Sequence, residues 1–167
     1  RAMVVTNSIL RAIEFYYEIS RLLEERKSPY KAIVAFSGSK NYGGKDVTEA
    51  DINGFPSKDI EDNMERDPYR ILVVAEKFQT GYDQPLLHTM YVDRILTDVK
   101  AVQTLSRLNR CHPKKRDTFV LDFANDADSI RESFQRFYKT TILSKETDPN
   151  KLNDLIMEIE AANIYTE

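Results

Sequence analysis

The sequence predicts an α/β domain, with a mainly parallel sheet flanked by helices and a helical extension at its C-terminal end. Three observations predict this fold. Short apolar runs rich in β-branched residues recur along the chain, helical patterns lie between several of them, and the sequence after Asp122 is helical alone. Alternating strands and helices are typical of βαβ units, in which helices cover a parallel sheet.

The predicted strands are five runs that are apolar on both faces and only about four to six residues long. They cover Met3–Thr6, Ala32–Phe36, Ile71–Ala75, Thr89–Asp93 and Thr118–Phe123. Strands that are apolar on both faces are typical of a parallel sheet, because helices bury it from both sides. We therefore expect all five strands to be buried.

Two longer helices are predicted between these strands. The first begins after Asn7, a suitable N-cap residue, and keeps helical spacing of apolar residues to about Lys27. Ser28-Pro29 ends it, because the residue before a proline avoids helical backbone. The second helix is capped by Asp98 and stopped by Pro113.

The pattern is weaker between the second and third predicted strands. Ser37-Gly38-Ser39 and Gly43-Gly44 predict a loop, because glycine and serine clusters interrupt regular structure. Residues 48–55 and 58–66 predict two short helices.

The last part of the chain differs from the rest in having no strand pattern. We expect helices over residues 125–141 and 149–162. The predicted organisation is therefore a sheet domain over residues 1–124, followed by residues 125–167 as the beginning of a helical extension or linker.

The ends of the predicted strands indicate where a ligand would bind. Ligands of open parallel sheets lie beyond the carboxyl ends of the strands. Residues 37–40 follow the second predicted strand and residues 76–85 follow the third. We expect these two segments, together with residues 107–110 of the second long helix, to share one functional edge of the sheet.

Composition excludes several classes of protein. Of the 167 residues 31% are charged, and no apolar run approaches the roughly 20 residues that cross a bilayer, so we expect no membrane partner. A single cysteine, Cys111, excludes an internal disulfide framework and fits a cytoplasmic protein. With only two histidines beside it, a structural zinc site is not expected. The chain begins inside a strand pattern without an initiator methionine, so we expect a fragment of a longer protein.

Charge is informative only locally. The formal net charge of −3 gives no general support for nucleic-acid binding. Residues 107–116, however, contain five lysines and arginines and no acidic residue. This run is either a solvated basic loop or part of a surface for a polyanion.

One polar motif, TGYDQP, follows the third predicted strand. Gly81 permits a tight turn with close approach of the backbone to a ligand. The Thr80 hydroxyl can donate to a phosphate oxygen, and the Asp83 carboxylate can accept from a hydroxyl group such as that of a sugar. A structural turn explains the same hexapeptide without any ligand.

A second polar motif, QTLSRLNR, lies on the second long helix. Gln103, Arg107 and Arg110 recur at intervals of four and three residues, so on a helix they line one stripe. Paired guanidiniums on a rigid element are suited to phosphate. An arginine aimed at a transferring phosphoryl group accelerates the reaction by about 10³–10⁵. Two surface arginines paired with local carboxylates are the alternative.

Together these motifs, with HPKKRDTFVLDF after them, resemble the second RecA-like lobe of superfamily 2 helicases. More narrowly, they resemble the restriction (motor) subunit of type I restriction–modification enzymes. The resemblance extends over nearly the whole chain, from RAMVVT at the start to IYTE at the end.

The resemblance implies roles for individual residues. The arginine fingers would be Arg107 and Arg110. Residues approaching the nucleotide would be Gly81, Asp83 and Gln103. Residues contacting nucleic acid would be Thr6, Ser37, Lys77 and Thr80. The chain departs from the family pattern at Ala75, where many members carry a phosphate-binding threonine, and at Asn7-Ser8, where an arginine often follows the strand.

The resemblance also implies a mechanism and partners. ATP would be hydrolysed between this lobe and a first RecA-like lobe that holds Mg²⁺, and hydrolysis would drive translocation on double-stranded DNA. The first lobe and a nuclease domain would belong to the same full-length chain, which would assemble with modification and specificity subunits. The 167-residue chain alone would be inactive.

Two other functions remain open on the residues alone. A non-motor Rossmann-like transferase domain is one, although such domains carry a glycine-rich loop after the first strand and Asn7-Ser8-Ile9 contains no glycine. The other is a protein-interaction module in which the arginines bind an acidic partner.

Overall fold

The computed structural model describes residues 1–78 and 81–143, with side chains to Phe137 in the last helix. In chain order its elements are β1 (Ala2–Thr6), α1 (Ile9–Glu25), β2 (Lys31–Ala35), β3 (Ser39–Tyr42), β4 (Lys45–Thr48), α2 (Glu49–Asn53), α3 (Ile60–Met64), β5 (Tyr69–Ala75), β6 (Thr89–Asp93), α4 (Asp98–Leu105), β7 (Phe119–Asp122) and α5 (Ala127–Leu143). A 3₁₀ turn, Ser57–Asp59, precedes α3, and another, Ser106–Asn109, continues α4. No helix among these residues is long and apolar enough to cross a bilayer.

The core of the fold is a five-stranded parallel sheet in the order β2-β5-β1-β6-β7. This confirms the predicted α/β class and all five predicted strands, with bounds that differ by at most two residues. Apolar side chains cover the sheet on both faces. On one face Val4 and Val73 pack against Ile13 of α1, and on the other Val5 and Met90 join the cluster that includes α3 and α4.

The prediction that every strand is buried is wrong for β7. This strand lies at the sheet edge beside β6, and Phe119 and Val120 are 50% and 40% exposed. Edge position alone does not expose a strand, because β2 lies at the opposite edge and is buried from Ala32 to Ala35. An apolar run therefore identifies a strand but not whether both of its faces are covered.

The predicted loop after β2 is instead a β-hairpin formed by β3 and β4. Gly43 and Gly44, at φ of 60° and 82°, form its two-residue turn, where positive φ matches the twist of the strands. The ring of Tyr42 stacks on that of Tyr17 in α1, with centroids 5.5 Å apart. The sequence pattern concealed this hairpin because its strands are short and largely polar.

Helix boundaries differ in detail from the predicted ones. The N-cap of α1 is Ser8 rather than Asn7, and its hydroxyl accepts from the Arg11 amide at 3.2 Å. Asp98 is not a cap but the first residue of α4, after Thr97. The two short helices are present as α2 and α3, each of five residues.

The end of the chain is described only in part. The helix predicted over 125–141 is present as α5, which begins at Ala127. Its Ile130 packs against the core cluster that includes α4, so α5 contacts the sheet domain directly. The helix predicted over 149–162 lies outside the described residues, and the division of the chain after residue 124 stays a prediction.

Candidate functional site

Helix α4 carries the second polar motif, and the segment before it is held by side chains that follow β7. The Asn125 side-chain carbonyl accepts from the Leu96 amide at 2.8 Å, and its NH₂ group donates to the Arg94 carbonyl at 2.8 Å. The Asp98 amide donates to the Ser133 hydroxyl at 3.1 Å. The start of α4 is therefore fixed to the carboxyl ends of β6 and β7.

The end of α4 lies at the opposite end of the sheet. The Lys115 ammonium donates to the carbonyls of Leu87 and Leu108 at 3.2 and 3.0 Å. The His88 amide, next to the start of β6, donates to the Arg1 carbonyl before β1. Leu108 is therefore near the amino ends of β1 and β6.

The expectation that residues 107–110 share the carboxyl edge of the sheet is therefore wrong. A helix that follows a strand runs back along it, and at about 1.5 Å per residue the 12 residues of α4 and its 3₁₀ turn return the chain to the start of the strand. Segment 76–88 also leads back in this direction, because it connects the carboxyl end of β5 to the amino end of β6.

Arg107 is fixed against this returning segment. Its guanidinium donates to the carbonyl oxygen of Tyr82. The Tyr82 ring is buried and packs against Phe78 with centroids 5.1 Å apart, so the carbonyl is held by the core. Burial, followed by the positive charge of Arg110, lowers the pKa of Arg107, and the charge of Asp83 opposes this shift. The Arg107 guanidinium nevertheless stays charged, because arginine is not deprotonated in proteins.

Arg110 makes a weaker contact with the same segment. Its Nε lies 3.3 Å from Asp83 Oδ1, and both side chains are about 60% exposed (59% and 62%). Arg110 follows the 3₁₀ turn in extended backbone rather than on the helix. Just before Tyr82, Gly81 has φ of 80°, a conformation that favours glycine.

Gln103, Arg107 and Arg110 meet around one recess of about 280 Å³, which Ser106 and Asn109 also line. The predicted stripe is present, although only Gln103 lies on the α-helix, Arg107 lies in the 3₁₀ turn and Arg110 is extended. With Gly81 and Asp83 alongside, the structure brings the two polar motifs together as an arginine cluster, defined here as Gly81, Asp83, Gln103, Arg107 and Arg110. The basic run continues from it, and Lys115 and Arg116 line a neighbouring recess.

Three of the residues predicted to contact nucleic acid, Thr6, Ser37 and Lys77, lie at the other end of the sheet. Thr6 is fully buried, and its hydroxyl lies 3.0 Å from the carbonyls of Val74 and Ser8. A buried hydroxyl cannot reach a phosphate at the surface, so Thr6 is removed from the predicted contacts. Ser37 is exposed after β2. Thr80 lies outside the described residues.

The positive charge of Lys77 is paired with a carboxylate. Its ammonium pairs with the carboxylate of Glu49, and the two side chains are 24% and 5% exposed. Sequence reasoning missed Glu49, which lies in a region predicted only as a short helix. It also missed Asn125. The nearest local signal was the capping box that Thr48 and Asp51 form, which marks the start of α2 but not the partner of Glu49.

Comparison with solved structures identifies the class of fold as that of helicase RecA-like domains. The chain is similar to the Mycobacterium smegmatis helicase Lhr, which was solved bound to ssDNA and AMP-PNP. The sequence identity is 14%, the TM-score is 0.51, and the match covers 83% of this chain and 17% of that one.

Residues 42–125 match the family described as type I restriction enzyme subunit R domain 3. The chain therefore belongs to this family, which confirms the predicted resemblance to the type I restriction subunit.

Similar whole proteins carry the same description. A Methanocaldococcus jannaschii protein, provisionally named type I restriction enzyme MjaIXP endonuclease subunit, is 28% identical over 96% of this chain. The type I restriction enzyme HindI endonuclease subunit of Haemophilus influenzae is 25% identical over 84% of it. The chain spans only 15% and 14% of the lengths of these two relatives.

Proposed function

We propose that this chain is the C-terminal motor lobe of an ATP-dependent double-stranded DNA translocase, within the R subunit of a type I restriction endonuclease. Arg107 and Arg110 are its arginine fingers, and Gly81, Asp83 and Gln103 lie beside the nucleotide. The observation that carries the proposal is the meeting of two distant motifs, through Arg107 on the Tyr82 carbonyl and Arg110 on Asp83.

The arginine cluster fits the phosphates of a nucleotide in charge and donor geometry. The Tyr82 carbonyl orients the guanidinium of Arg107, so the planar group is pre-organised for a phosphate oxygen. The exposed Arg110–Asp83 pair contributes only about 0–1 kcal/mol. A phosphate can therefore displace Asp83, whose carboxylate is then able to accept from a ribose hydroxyl.

Catalysis by this lobe is electrostatic. When bound, ATP supplies the phosphoanhydride bond whose hydrolysis drives movement. Arg107 and Arg110 stabilise the negative charge that develops on the transferring phosphoryl group, and together they account for the largest rate effect expected of this chain. The chain lacks a Walker A sequence, GxxxxGK[ST]. A first RecA-like lobe therefore provides the opposite wall and holds Mg²⁺, and the isolated chain is inactive.

Nucleic acid is bound at the other end of the sheet from the arginine cluster. Ser37 and Lys77 remain the proposed contacts at this edge, Thr80 remains one on the resemblance alone, and Thr6 supports the loop behind Ser37 and Lys77. Contacts of this kind address the phosphate backbone of double-stranded DNA, so binding is sensitive to salt and largely independent of sequence. Segment 76–88 connects this edge to the arginine cluster, which gives a covalent path between DNA contact and nucleotide.

The other domains and subunits of the proposed enzyme lie outside these 167 residues. We place the first motor lobe and the nuclease domain in the same full-length chain. The modification and specificity subunits are its partners and select the DNA site.

Steady-state ATP hydrolysis by the whole R subunit tests the proposal. We expect Arg107→Ala and Arg110→Ala each to reduce DNA-stimulated hydrolysis by about 10³-fold or more, while folding and DNA binding persist. Arg116→Ala is the matched control, because it removes a nearby arginine that lies outside the arginine cluster. Hydrolysis unchanged in all three variants would reject the motor function and favour an interaction module.

A further inference from the structure

The ion pair between Glu49 and Lys77 lies at the carboxyl ends of β2 and β5, the proposed site of nucleic-acid binding, here called the nucleic-acid edge. The proposed function requires positive charge there. Glu49 is the first residue of α2, and Lys77 follows β5 by two residues. One carboxylate oxygen of Glu49 faces the Lys77 ammonium, and the other accepts from the Phe36 amide at 2.7 Å. The carboxylate therefore joins the carboxyl ends of β2 and β5.

This carboxylate is buried more deeply than its partner. A carboxylate that is 5% exposed needs a cation and hydrogen bonds to compensate for its lost hydration. The ammonium of Lys77 provides the cation, but its charge is neutralised in doing so. A phosphate that approaches this edge meets a neutral pair, even though a quarter of the Lys77 side chain (24%) remains exposed.

Lys77 also occupies a special place in the backbone. Its neighbours Glu76 and Phe78 have φ of 61° and 60°, in the left-handed region, and its amide donates to the Ala75 carbonyl at 2.7 Å. The Phe78 ring lies 5.2 Å from the Lys77 ammonium and packs against Tyr82. The ion pair is thus located where segment 76–88 leaves the nucleic-acid edge toward the arginine cluster.

We propose that Glu49 is a positioning residue that competes with DNA phosphate for the ammonium of Lys77, and so limits how tightly this lobe holds DNA. The inference rests on the proposed function, because it requires DNA at this edge. A phosphate that recruits Lys77 must draw the ammonium away from a buried carboxylate. Each contact made in this way is therefore weaker than one made by a free lysine. Weak contacts suit a translocase, because it must release DNA in order to move along it.

Glu49→Gln is the informative variant. The side-chain carbonyl of glutamine can still accept from the Phe36 amide, while the charge that holds Lys77 is lost. We expect DNA binding to tighten and its salt dependence to steepen by about one phosphate contact. One additional phosphate contact adds a further loss of affinity of about threefold when the salt concentration rises from about 50 to 200 mM. Fluorescence anisotropy of the whole R subunit with a labelled DNA duplex, across this salt range, measures both quantities.

Three controls make the result specific. Glu61→Gln removes the same charge from an exposed position on α3 and corrects for general electrostatics. Lys77→Gln alone and combined with Glu49→Gln should show the same salt dependence of DNA binding once the general charge effect measured with Glu61→Gln is subtracted, because Glu49 acts on the phosphate contact only through Lys77. If Glu49→Gln does not fold, Glu49→Asp shortens the side chain by one methylene and should change binding in the same direction.

An unchanged salt slope in a folded Glu49 variant overturns the inference, since it means that Lys77 is structural and never reaches phosphate. In that case the wild type still binds DNA, and the Arg107→Ala variant still loses ATP hydrolysis, so the proposed function stands. If the wild type and every variant fail to bind the duplex, the proposed function fails and the inference fails with it.

Discussion

Asn125→Ala tests how the start of α4 is held, and hence how the arginine cluster is positioned. The Asn125 amide group accepts from the Leu96 amide and donates to the Arg94 carbonyl, both at 2.8 Å. It also lies 3.0 Å from the carboxylate of Asp122, the last residue of β7. A single side chain therefore joins the β6–α4 connection to the end of the neighbouring strand.

The cost of losing this side chain follows from its hydrogen bonds. Each of the two bonds to backbone contributes about 1 kcal/mol net, and more where the partner is left buried without water. Leu96 is 2% exposed, so its amide is such a partner. We expect a loss of about 2–4 kcal/mol in the free energy of unfolding, which is a large part of the 5–15 kcal/mol of a typical domain. The folding equilibrium would change by about 30- to 1,000-fold.

Urea unfolding of the 167-residue chain, followed by circular dichroism, measures this loss. Asn41→Ala is the matched control, because its amide bonds only the exposed Asp46 carboxylate, at 3.2 Å, among the described contacts. We expect the control to cost less than about 0.5 kcal/mol. Equal costs for the two variants would refute the reasoning, because they would show that the Asn125 contacts do not support the β6–α4 connection.

Three further outcomes are expected. Arg107→Lys keeps the charge but not the planar fork, so hydrolysis by the whole subunit should remain within about tenfold of the alanine variant; near-normal turnover would contradict this. Lys77→Met leaves the buried Glu49 carboxylate without its cation and should lower unfolding free energy by about 3–5 kcal/mol in urea titrations; a change below 1 kcal/mol would count against a tight pair. Hydrogen bonds from Ser129 lower the pKa of Asp126, so its stabilisation of α5 is present above the unfolded pKa near 4 and is lost as pH falls through the folded value. Asp126→Ala should therefore show a weaker acid dependence of unfolding than the wild type, and identical acid profiles would contradict the stabilising role of the Asp126 carboxylate.

The sequence was sufficient for the main sheet because its signal is local. Runs such as Met3–Thr6 and Ile71–Ala75 are apolar on both faces, and such runs form central strands of parallel sheets. The β3–β4 hairpin gave no such signal, since its residues are mostly polar and its turn resembles a loop. The exposure of Phe119 in β7 depends on which elements cover the sheet edge, and the composition of a strand does not contain that information.

The grouping of the arginine cluster was predictable from the sequence, its location in the fold was not, and the roles of its residues stay a prediction. The spacing of Gln103, Arg107 and Arg110 placed them on one stripe, and the recess that they share confirms it. Their end of the sheet was predicted wrongly, because α4 and its 3₁₀ turn run back along the sheet and end near the amino ends of the strands. Glu49 and Asn125 were missed for another reason: their partners are 28 and about 30 residues away in sequence, and no local pattern encodes such contacts.

The most direct test of the central claim is a single-turnover measurement on the whole R subunit, with wild-type protein and the Arg107→Ala variant. Saturating enzyme separates nucleotide binding from the chemical step. We predict that the variant binds ATP with affinity within about tenfold of the wild type, while its rate of phosphate cleavage falls by about 10³-fold or more. Cleavage at the wild-type rate in the variant would contradict the assignment of this chain as the lobe that supplies arginines to the nucleotide.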